Sequence, residues 1–369
     1  MLPFLRPDLA HLKAYQPHPP IPEPYDQLDT NESPIDLPAD VKASLANHYQ
    51  QSIAANRYPD GGHGALKQAI ADYVSESAGG VTAANISVGN GSDELIRSLL
   101  IATAINNGAI LVASPTFSMY GILAQTLGVQ VIDVGRTDDF CINLDIAQKA
   151  IENHPIRIVF MVHPNSPTAN GLNMAEIEWL RQLPNDVLVV IDEAYFEFSQ
   201  QTLVADSLSR INWVVLRTFS KAFRLAAHRV GYAVAQPDLV DALEKVRLPY
   251  NLPSFSQAAA LTALAHRPSL LATLETTVAE RQQMATWLSD QPAITPWPSA
   301  ANFIYCRLSD KGLAQLGMEQ AEGLNHIFST LRQQGTLIRY TGGGLRISLG
   351  TPAENHRTRA NLQTVIGEF

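Results

Sequence analysis

Residues 187–221, VLVVIDEAYFEFSQQTLVADSLSRINWVVLRTFSK, contain two apolar runs that each end in polar residues. The runs, 187–191 and 213–218, are apolar almost throughout, a pattern typical of strands buried on both faces. Helical segments between such strands imply crossover connections and a mostly parallel sheet. The stretch therefore predicts the middle of an α/β sheet, with Asp192 and Lys221 just beyond the ends of two strands.

Similar runs of Val and Ile extend this pattern along the chain, and segments of helical periodicity alternate with them. The further predicted strands are 86–88, 109–113, 129–134, 156–162 and 230–235, and the helices are 39–50, 64–76 and 93–105. We therefore predict the α/β fold class, with a large domain built on a mostly parallel sheet flanked by helices.

The character of the sequence changes after about residue 250. Two helices are predicted at 255–265 and 269–290, followed by strands at 302–308, 336–340 and 345–349 and helices at 319–334 and 352–366. This order predicts a smaller α+β domain. We expect a proline-rich N-terminal arm at 1–38, a large domain at 39–265 and a small C-terminal domain at 266–369. The arm is expected to pack with the small domain or with a partner subunit.

Composition excludes several classes of protein. Of 369 residues, 46% are hydrophobic and 17% are charged, which argues against general disorder. The formal net charge of −9 argues against binding to nucleic acid or anionic membranes, and two cysteines cannot form a disulfide scaffold. No apolar run approaches the roughly 20 residues that span a bilayer, and no signal peptide is evident. A cytoplasmic location is the expectation.

Polar residues follow four of the predicted strands, where ligands collect in an open parallel sheet. The glycines of 89–94, GNGSDE, lead into a helix and suit either a phosphate site or an ordinary capped turn. Two prolines bracket Asn165 in a rigid turn that can aim its amide. Asp192, after a buried strand, requires a cation unless it caps a helix or lies at a solvated rim.

Lys221 is the fourth signal, because it alone among seven lysines follows a buried strand, and Arg229 comes eight residues later. A lysine nucleophile must be neutral, which burial and a neighbouring cation promote, although a surface lysine is the ordinary alternative. Arg229 is suited to bind a phosphate. These four signals together indicate the cofactor pyridoxal 5′-phosphate. They are a phosphate-binding turn, a carboxylate that can pair with a cation, an oriented amide and a reactive amine.

The chain resembles the fold-type I pyridoxal-phosphate-dependent aminotransferases, and most closely the histidinol-phosphate aminotransferase family. The resemblance covers residues ~10–350 in family order. The matching strings are LDTNESP at 28–34, NRYPD at 56–60, GNGSDE at 89–94, SPTFSMY at 114–120, HPNSPT at 163–168, DEAY at 192–195, TFSKAF at 218–223 and GLRIS at 344–348. The family often has glycine where this chain has Ala169.

The resemblance implies a role for each matching residue. Lys221 would bind the aldehyde of the cofactor covalently and shuttle the proton, and Asp192 would pair with the pyridinium nitrogen. Tyr195 and Asn165 would hydrogen-bond the phenolic oxygen of the cofactor. Tyr120 would stack on the cofactor ring. The phosphate would be held by Ser92, Asp93, Thr218, Ser220 and Arg229, together with Tyr58 from the partner subunit of a homodimer with shared active sites.

The substrate anions require groups outside the cofactor site. Arg339 and Arg346 lie on two short strands joined by a glycine-rich turn, which would bring their guanidinium groups together. By the resemblance, these arginines take the carboxylate and phosphate of the substrates, glutamate or 2-oxoglutarate and histidinol phosphate. Tyr15 and Asn31 match positions that close over the substrate. No metal site is predicted.

Alternative functions share the same fold. An aromatic or broad-range aminotransferase, or a threonine-phosphate decarboxylase, would use the same cofactor with another substrate or another bond broken. A non-catalytic pyridoxal-phosphate sensor is disfavoured, because no basic helix-turn-helix segment is attached and the net charge is negative.

Overall fold

A computed structural model describes residues 4–12 and 25–367 of the chain. The strands, in chain order, are β1 (Asp26–Gln27), β2 (Ile86–Asn90), β3 (Ala109–Val112), β4 (Gln130–Asp133), β5 (Ile156–Val162), β6 (Leu188–Asp192), β7 (Trp213–Thr218), β8 (Val230–Ala235), β9 (Ile294–Pro296), β10 (Phe303–Leu308), β11 (Thr336–Leu337), β12 (Arg339–Thr341) and β13 (Gly344–Ser348). Strands β2 to β8 form one sheet, and strands β9, β10, β12 and β13 form a second.

Helices alternate with the strands of the large unit and flank those of the small one. They are α1 (Ala39–Ser52), α2 (Gly64–Ala78), α3 (Gly91–Thr103), α4 (Met119–Thr126), α5 (Leu144–Asn153), α6 (Met174–Arg181), α7 (Phe196–Ser199), α8 (Val204–Ser209), α9 (Pro237–Val246), α10 (Ser254–Ala265), α11 (Arg267–Leu271), α12 (Leu274–Ser289), α13 (Asp310–Leu316), α14 (Gln320–Gln333) and α15 (Pro352–Gly367). No helix in the described ranges has the length and apolar character needed to cross a membrane.

The large domain is built on a seven-stranded sheet in the order β2-β8-β7-β6-β5-β3-β4. All neighbouring strands are parallel except β8, which is antiparallel to β2 and to β7. The connection from β7 to β8 contains only 11 residues, 219–229, too few for the helical crossover that a parallel return needs. The prediction of a mostly parallel sheet flanked by helices is confirmed, with β8 as its antiparallel member.

The sheet is buried on both faces because its strands alternate between two hydrophobic clusters. On β6, Val189 and Ile191 pack into one cluster, while Leu188 and Val190 pack into the other. This two-sided burial explains why the strands read as continuous apolar runs in the sequence.

The small domain contains a four-stranded antiparallel sheet in the order β12-β13-β10-β9. Its core includes Leu28 from the arm and Met284 from α12. Strand β1 of the arm pairs in parallel with β11, so this part of the arm packs with the small domain. The smaller C-terminal domain of the predicted fold class is confirmed, whereas the residue boundaries remain predictions.

Two predicted elements are each divided in the structure. The helix expected at 269–290 is α11 followed by α12, and the strand expected at 336–340 is β11 followed by β12. The strand divides because β11 pairs with β1 while β12 pairs with β13. A buried residue, Ile338, stands between the two pairings.

Within residues 25–367 the chain passes between the large-domain core and the small-domain core twice, once within residues 28–41 and once within 270–284. Arg224, three residues after Lys221, contacts both crossings. Its guanidinium donates to the carbonyl oxygen of Asp36 (3.1 Å) and to Oγ1 of Thr273 (2.8 Å). One side chain of the large domain therefore holds the two crossings together.

Candidate active site

Lys221 lies three residues beyond the end of β7, at the carboxyl edge of the sheet. Its Nζ donates to the carbonyl oxygen of Thr30 at 2.7 Å. Burial lowers the pKa of this amine to about 8, and the positive charges of Arg346 and Arg229 act in the same direction, while Glu32 opposes them. The structure therefore supplies the two activating conditions, burial and neighbouring cations, that a nucleophilic lysine needs.

Asp192 is the last residue of β6, the strand next to β7, and it is 3% exposed. Its Oδ2 accepts a hydrogen bond from the hydroxyl of Tyr120 at 2.6 Å, and its Oδ1 accepts one from the N–H of Ala194 at 3.0 Å. Burial raises the pKa of this carboxyl to about 6. Within the described ranges no salt bridge involves Asp192, so a cationic ligand beside it would stabilise its anion.

Tyr120 lies on α4 and is fully buried. One face of its ring stacks on Phe160, with centroids 4.6 Å apart and planes 11° apart. Burial and the neighbouring Asp192 raise the pKa of its hydroxyl well above the ordinary value. The structure thus places the Tyr120 hydroxyl against Asp192, the carboxylate predicted to pair with the cofactor. Stacking of Tyr120 on a cofactor ring stays a prediction.

Five of the predicted phosphate residues, all except Tyr58, lie near the N-terminus of α3, next to the start of β8. The first-turn amides of Ser92 and Asp93 have no acceptors within the helix itself. Arg229 donates from Nη2 to Oδ2 of Asp93 at 3.1 Å, while Oδ1 of Asp93 is buried without a hydrogen-bond partner among the described residues. Thr218 and Ser220, both buried, join this edge through a 2.9 Å bond between their hydroxyls.

Two glycines make this approach possible. A Cβ atom at Gly91, where φ is 74°, would lie 2.6 Å from Nη2 of Arg229. A Cβ atom at Gly231 would lie 2.6 Å from the backbone nitrogen of Ser92. The glycine-rich start of α3 therefore keeps its N–H groups and an arginine together in a small space, as an anion site requires.

Tyr195 follows Asp192 closely and is buried at the domain boundary. Its hydroxyl oxygen accepts a hydrogen bond from Nδ2 of Asn31 at 2.9 Å. Asn31 is 1% exposed, and its Oδ1 accepts from the hydroxyl of Ser348 at 2.7 Å. The arm residue predicted to close over substrate is thus packed between Tyr195 and the small domain.

Asn165 is buried in the turn after β5. Its Nδ2 donates to the carbonyl oxygen of Pro115 at 3.0 Å and to Oγ1 of Thr168 at 2.6 Å. Both amide hydrogens are therefore used within the chain, and the predicted bond from Asn165 to a cofactor would require one of them to be released. Ala169, at the position where the family often has glycine, adopts the left-handed backbone conformation with φ 66°.

The two arginines predicted for substrate binding are direct cross-strand partners. Arg339 on β12 stands opposite Arg346 on β13, so both project from the same face of the sheet. Arg346 donates from Nη1 to the hydroxyl of Ser166 at 3.0 Å and from Nη2 to the carbonyl oxygen of Asp29, and its Nε is buried without a partner among the described residues. Burial lowers the pKa of Arg346, and the proximity of Arg339 adds to this effect.

Two predicted residues stand apart from this cluster. Tyr58 is 81% exposed and stacks on Tyr250, with ring centroids 4.6 Å apart. Tyr15 lies outside the described residues. Within the described chain, therefore, Tyr58 is presented outward instead of toward Lys221.

Sequence reasoning missed several residues that support the site. Glu193, directly after Asp192, forms a fully buried ion pair with Arg217 at 2.9 Å, and Thr202 bonds to both. Ser166 binds Arg346 through a side-chain hydroxyl. The placement of Arg217 inside an apolar run, WVVLRT, was a signal, because a buried arginine requires a carboxylate partner.

The side chains at this edge of the sheet suit a ligand that combines a cationic aromatic ring, an aldehyde and a phosphate. They do not form a set of metal ligands. A partly buried amine, a buried carboxylate and a helix N-terminus with an arginine lie at one edge of the sheet. Among the described residues, no group of three or more His, Cys, Asp and Glu side chains could hold a metal ion. The arrangement can bind a phosphate, stabilise a positive charge and present an amine that is neutral part of the time.

Comparison with known proteins agrees with this arrangement. The profile of the family "Aminotransferase class I and II" matches residues 25–362. Histidinol-phosphate aminotransferase 2 of Nostoc sp. is 57% identical over 381 residues, covering 99% of this chain and 98% of its own length. Histidinol-phosphate aminotransferase of Trichodesmium erythraeum is 55% identical, covering 99% and 100%.

A solved structure shares the fold over the whole chain. The histidinol-phosphate aminotransferase of Sinorhizobium meliloti, in complex with pyridoxal-5′-phosphate, has a TM-score of 0.86 at 23% identity and covers 100% of this chain and 99% of its own. The family match and the full-length relatives together lead to one assignment: this chain belongs to the class I and II aminotransferases.

Proposed function

We propose that this enzyme uses pyridoxal 5′-phosphate to transfer the amino group of L-histidinol phosphate to 2-oxoglutarate, a step in histidine biosynthesis. The observation that carries the proposal is the Lys221 amine, whose pKa lies near 8 at the sheet edge that also holds Asp192. The full-length relatives that carry the name histidinol-phosphate aminotransferase support the choice of substrate.

Different residues at the carboxyl edge of the large sheet would bind different parts of the cofactor. Asp192 would bind the protonated ring nitrogen, because its buried carboxylate has no cation of its own in the described chain. The first turn of α3, with Arg229, would bind the phosphate. When bound, pyridoxal phosphate supplies the electron sink that acidifies the Cα–H bond of an amino substrate.

Lys221 has two tasks in this proposal. Its Nζ would hold the aldehyde carbon of the cofactor, and once the substrate amine takes that place, the free amine would accept the proton from the substrate Cα. An amine with a pKa near 8 is suited to this exchange, because it both gains and loses a proton readily near neutral pH. The partly buried setting excludes much of the water that would compete for that proton.

The substrate anions are assigned to the arginine hairpin, which we define as β12, β13 and the turn between them. Arg339 and Arg346 project from one face of the hairpin, beside Ser166 and Tyr195 of the large domain. Two adjacent guanidinium groups suit dianionic substrates, and both histidinol phosphate and 2-oxoglutarate carry such charge.

A homodimer with shared active sites is part of the proposal. The stacked Tyr58 and Tyr250 are exposed, and Leu248 and Phe255 expose apolar surface on neighbouring segments. Exposed apolar patches of this kind are typical of protein–protein interfaces. In a dimer, Tyr58 would reach the phosphate of the partner's cofactor.

A two-substrate assay tests the function. Purified enzyme with pyridoxal phosphate is expected to form glutamate from histidinol phosphate and 2-oxoglutarate with a higher kcat/KM than with phenylalanine as amino donor. Threonine phosphate is expected to release no carbon dioxide. Lys221→Ala should abolish both turnover and the visible absorption of the bound cofactor, whereas Lys245→Ala, an exposed lysine on α9, should change neither. Preferential turnover of the aromatic donor, or carbon dioxide release, would reject the substrate assignment.

A further inference from the structure

One face of β10 carries three side chains that join the small domain to the large one. Phe303, Tyr305 and Arg307 alternate along the strand and therefore point to the same side. The Phe303 ring packs edge-on against Tyr195 with centroids 5.0 Å apart, and Tyr305 packs edge-on against Phe140 at 5.3 Å. The Arg307 guanidinium lies 5.1 Å from the centroid of the Phe140 ring. We call these three residues the β10 row.

The β10 row also holds the turn of the arginine hairpin. The Tyr305 hydroxyl donates to the carbonyl oxygen of Gly342 at 2.6 Å, and Nη2 of Arg307 donates to the same oxygen at 3.1 Å. Gly342 has φ 60°, and a Cβ atom there would lie 2.7 Å from Cβ of Pro115 in the large domain. The Gly342 carbonyl thus accepts both hydrogen bonds, and Gly342 is also the residue at which the turn contacts the large domain.

The β10 row stands in register with the arginines. Tyr305 is the cross-strand partner of Arg346, which is in turn the partner of Arg339. The side chains of Tyr305, Arg346 and Arg339 therefore project from one face of the sheet. A Cβ atom at Gly344 would lie 2.4 Å from Cζ of Tyr305, so the tyrosine ring fills the space directly over the hairpin.

We propose that Tyr305 and Arg307 are positioning residues for substrate recognition. By fixing the Gly342 turn against the large domain, they set the place of Arg339 and Arg346 before the substrate arrives. The inference rests on the proposed function only in assigning the substrate anions to those arginines. A hairpin ordered in advance loses less conformational freedom on binding, so the substrates bind more tightly. The predicted cofactor residues Lys221, Asp192 and Arg229 lie on other elements, at the edge of the large sheet.

Two variants test the role with little disturbance of packing. Tyr305→Phe keeps the ring over Gly344 and removes only the hydroxyl. Arg307→Gln removes the guanidinium that donates to the Gly342 carbonyl and lies over Phe140. Each is expected to raise KM for histidinol phosphate and for 2-oxoglutarate roughly three- to tenfold, the value of one hydrogen bond. The turnover number, the cofactor spectrum and the cofactor dissociation constant should stay unchanged. Because both donors act on one oxygen, the double variant should show less than the product of the single effects.

Matched controls come from elements outside the arginine hairpin. Tyr49→Phe makes the identical chemical change on α1, where the ring packs edge-on against Phe255. Arg357→Gln removes an arginine of α15 that pairs with Asp26. Both controls should leave the two KM values as in the wild type.

The possible outcomes separate this inference from the proposed function. An active wild type whose two variants match the controls in KM would overturn the positioning role, as would a parallel loss of cofactor affinity. A wild type inactive with histidinol phosphate would reject the proposed substrate instead. The positioning role is then decided by calorimetric dissociation constants for 2-oxoglutarate, which should rise in Tyr305→Phe and Arg307→Gln and would refute the role if unchanged.

Discussion

The reactivity of Lys221 before any substrate binds can be predicted from its surroundings. A lysine with the ordinary pKa of 10.5 would be neutral in about 0.03% of molecules at pH 7, whereas a pKa of about 8 makes about 10% neutral. Because only the neutral amine attacks an aldehyde, covalent attachment of pyridoxal phosphate to Lys221 should be roughly 300-fold faster than attachment to an exposed lysine of equal access.

The assay follows this attachment in the cofactor-free protein. Protein and pyridoxal phosphate are mixed between pH 6 and pH 10, quenched with borohydride, and the peptide that carries Lys221 is quantified by mass spectrometry. The rate should rise about tenfold per pH unit and level off near pH 8. Lys221→Ala reports the background from other lysines.

Two neighbouring charges should move the midpoint of this profile in opposite directions. Arg346→Gln removes a positive charge that disfavours the protonated amine, so the midpoint should rise, and Glu32→Gln removes a negative charge that favours it, so the midpoint should fall. Comparing variants at one pH cancels the ionisation of the reagent itself. A wild-type rate that still climbs at pH 10, or a shift of both variants in the same direction, would refute the reasoning.

Further predictions concern the carboxylates and the two anion sites. Asp192→Asn should lower kcat by about 100-fold or more, yet it should stabilise the cofactor-free protein at pH 7. The pKa of Asp192 in the folded protein, about 6, exceeds its ordinary value of 3.8, so the wild type loses folding stability as the pH rises from about 4 to 6. Chemical denaturation should therefore show a higher unfolding free energy for Asp192→Asn at pH 7 and no difference between the two proteins below pH 4. Glu193→Gln leaves Arg217 buried without its carboxylate and should cost about 3 kcal/mol of unfolding free energy in urea titrations. Arg229→Gln should weaken cofactor binding, measured by spectroscopic titration, more than substrate binding, whereas Arg346→Ala should show the reverse; exchanged patterns would exchange the two assignments.

The central sheet could be predicted because its signal is local. Strands buried on both faces appear as continuous apolar runs, and β5, β7 and β8 begin and end at the predicted residues. The position of Asp192 and Lys221 at one edge follows from strand direction alone. The pairing of Arg339 with Arg346 was also foreseeable, because a glycine turn of short length fixes the register of its strands.

The rest of the site depends on contacts between residues far apart in the sequence. The division of the strand at Ile338 reflects its two partners, β1 and β13, and nothing in the local pattern announces a change of partner. Asn31 reads as an arm residue near substrate, but its burial against Tyr195 arises from the packing of three segments. Likewise, Tyr305 and Arg307 read as an ordinary strand, since their target is a carbonyl 35 or more residues away.

The double crossing held by Arg224 limits how the two halves of the molecule can move. Because the two crossings lie close together, a relative motion of the two domains is expected to be a rotation about the line through them. Since Arg224 bonds to both crossings and lies three residues from Lys221 in the sequence, such a rotation would have its axis close to the reactive amine.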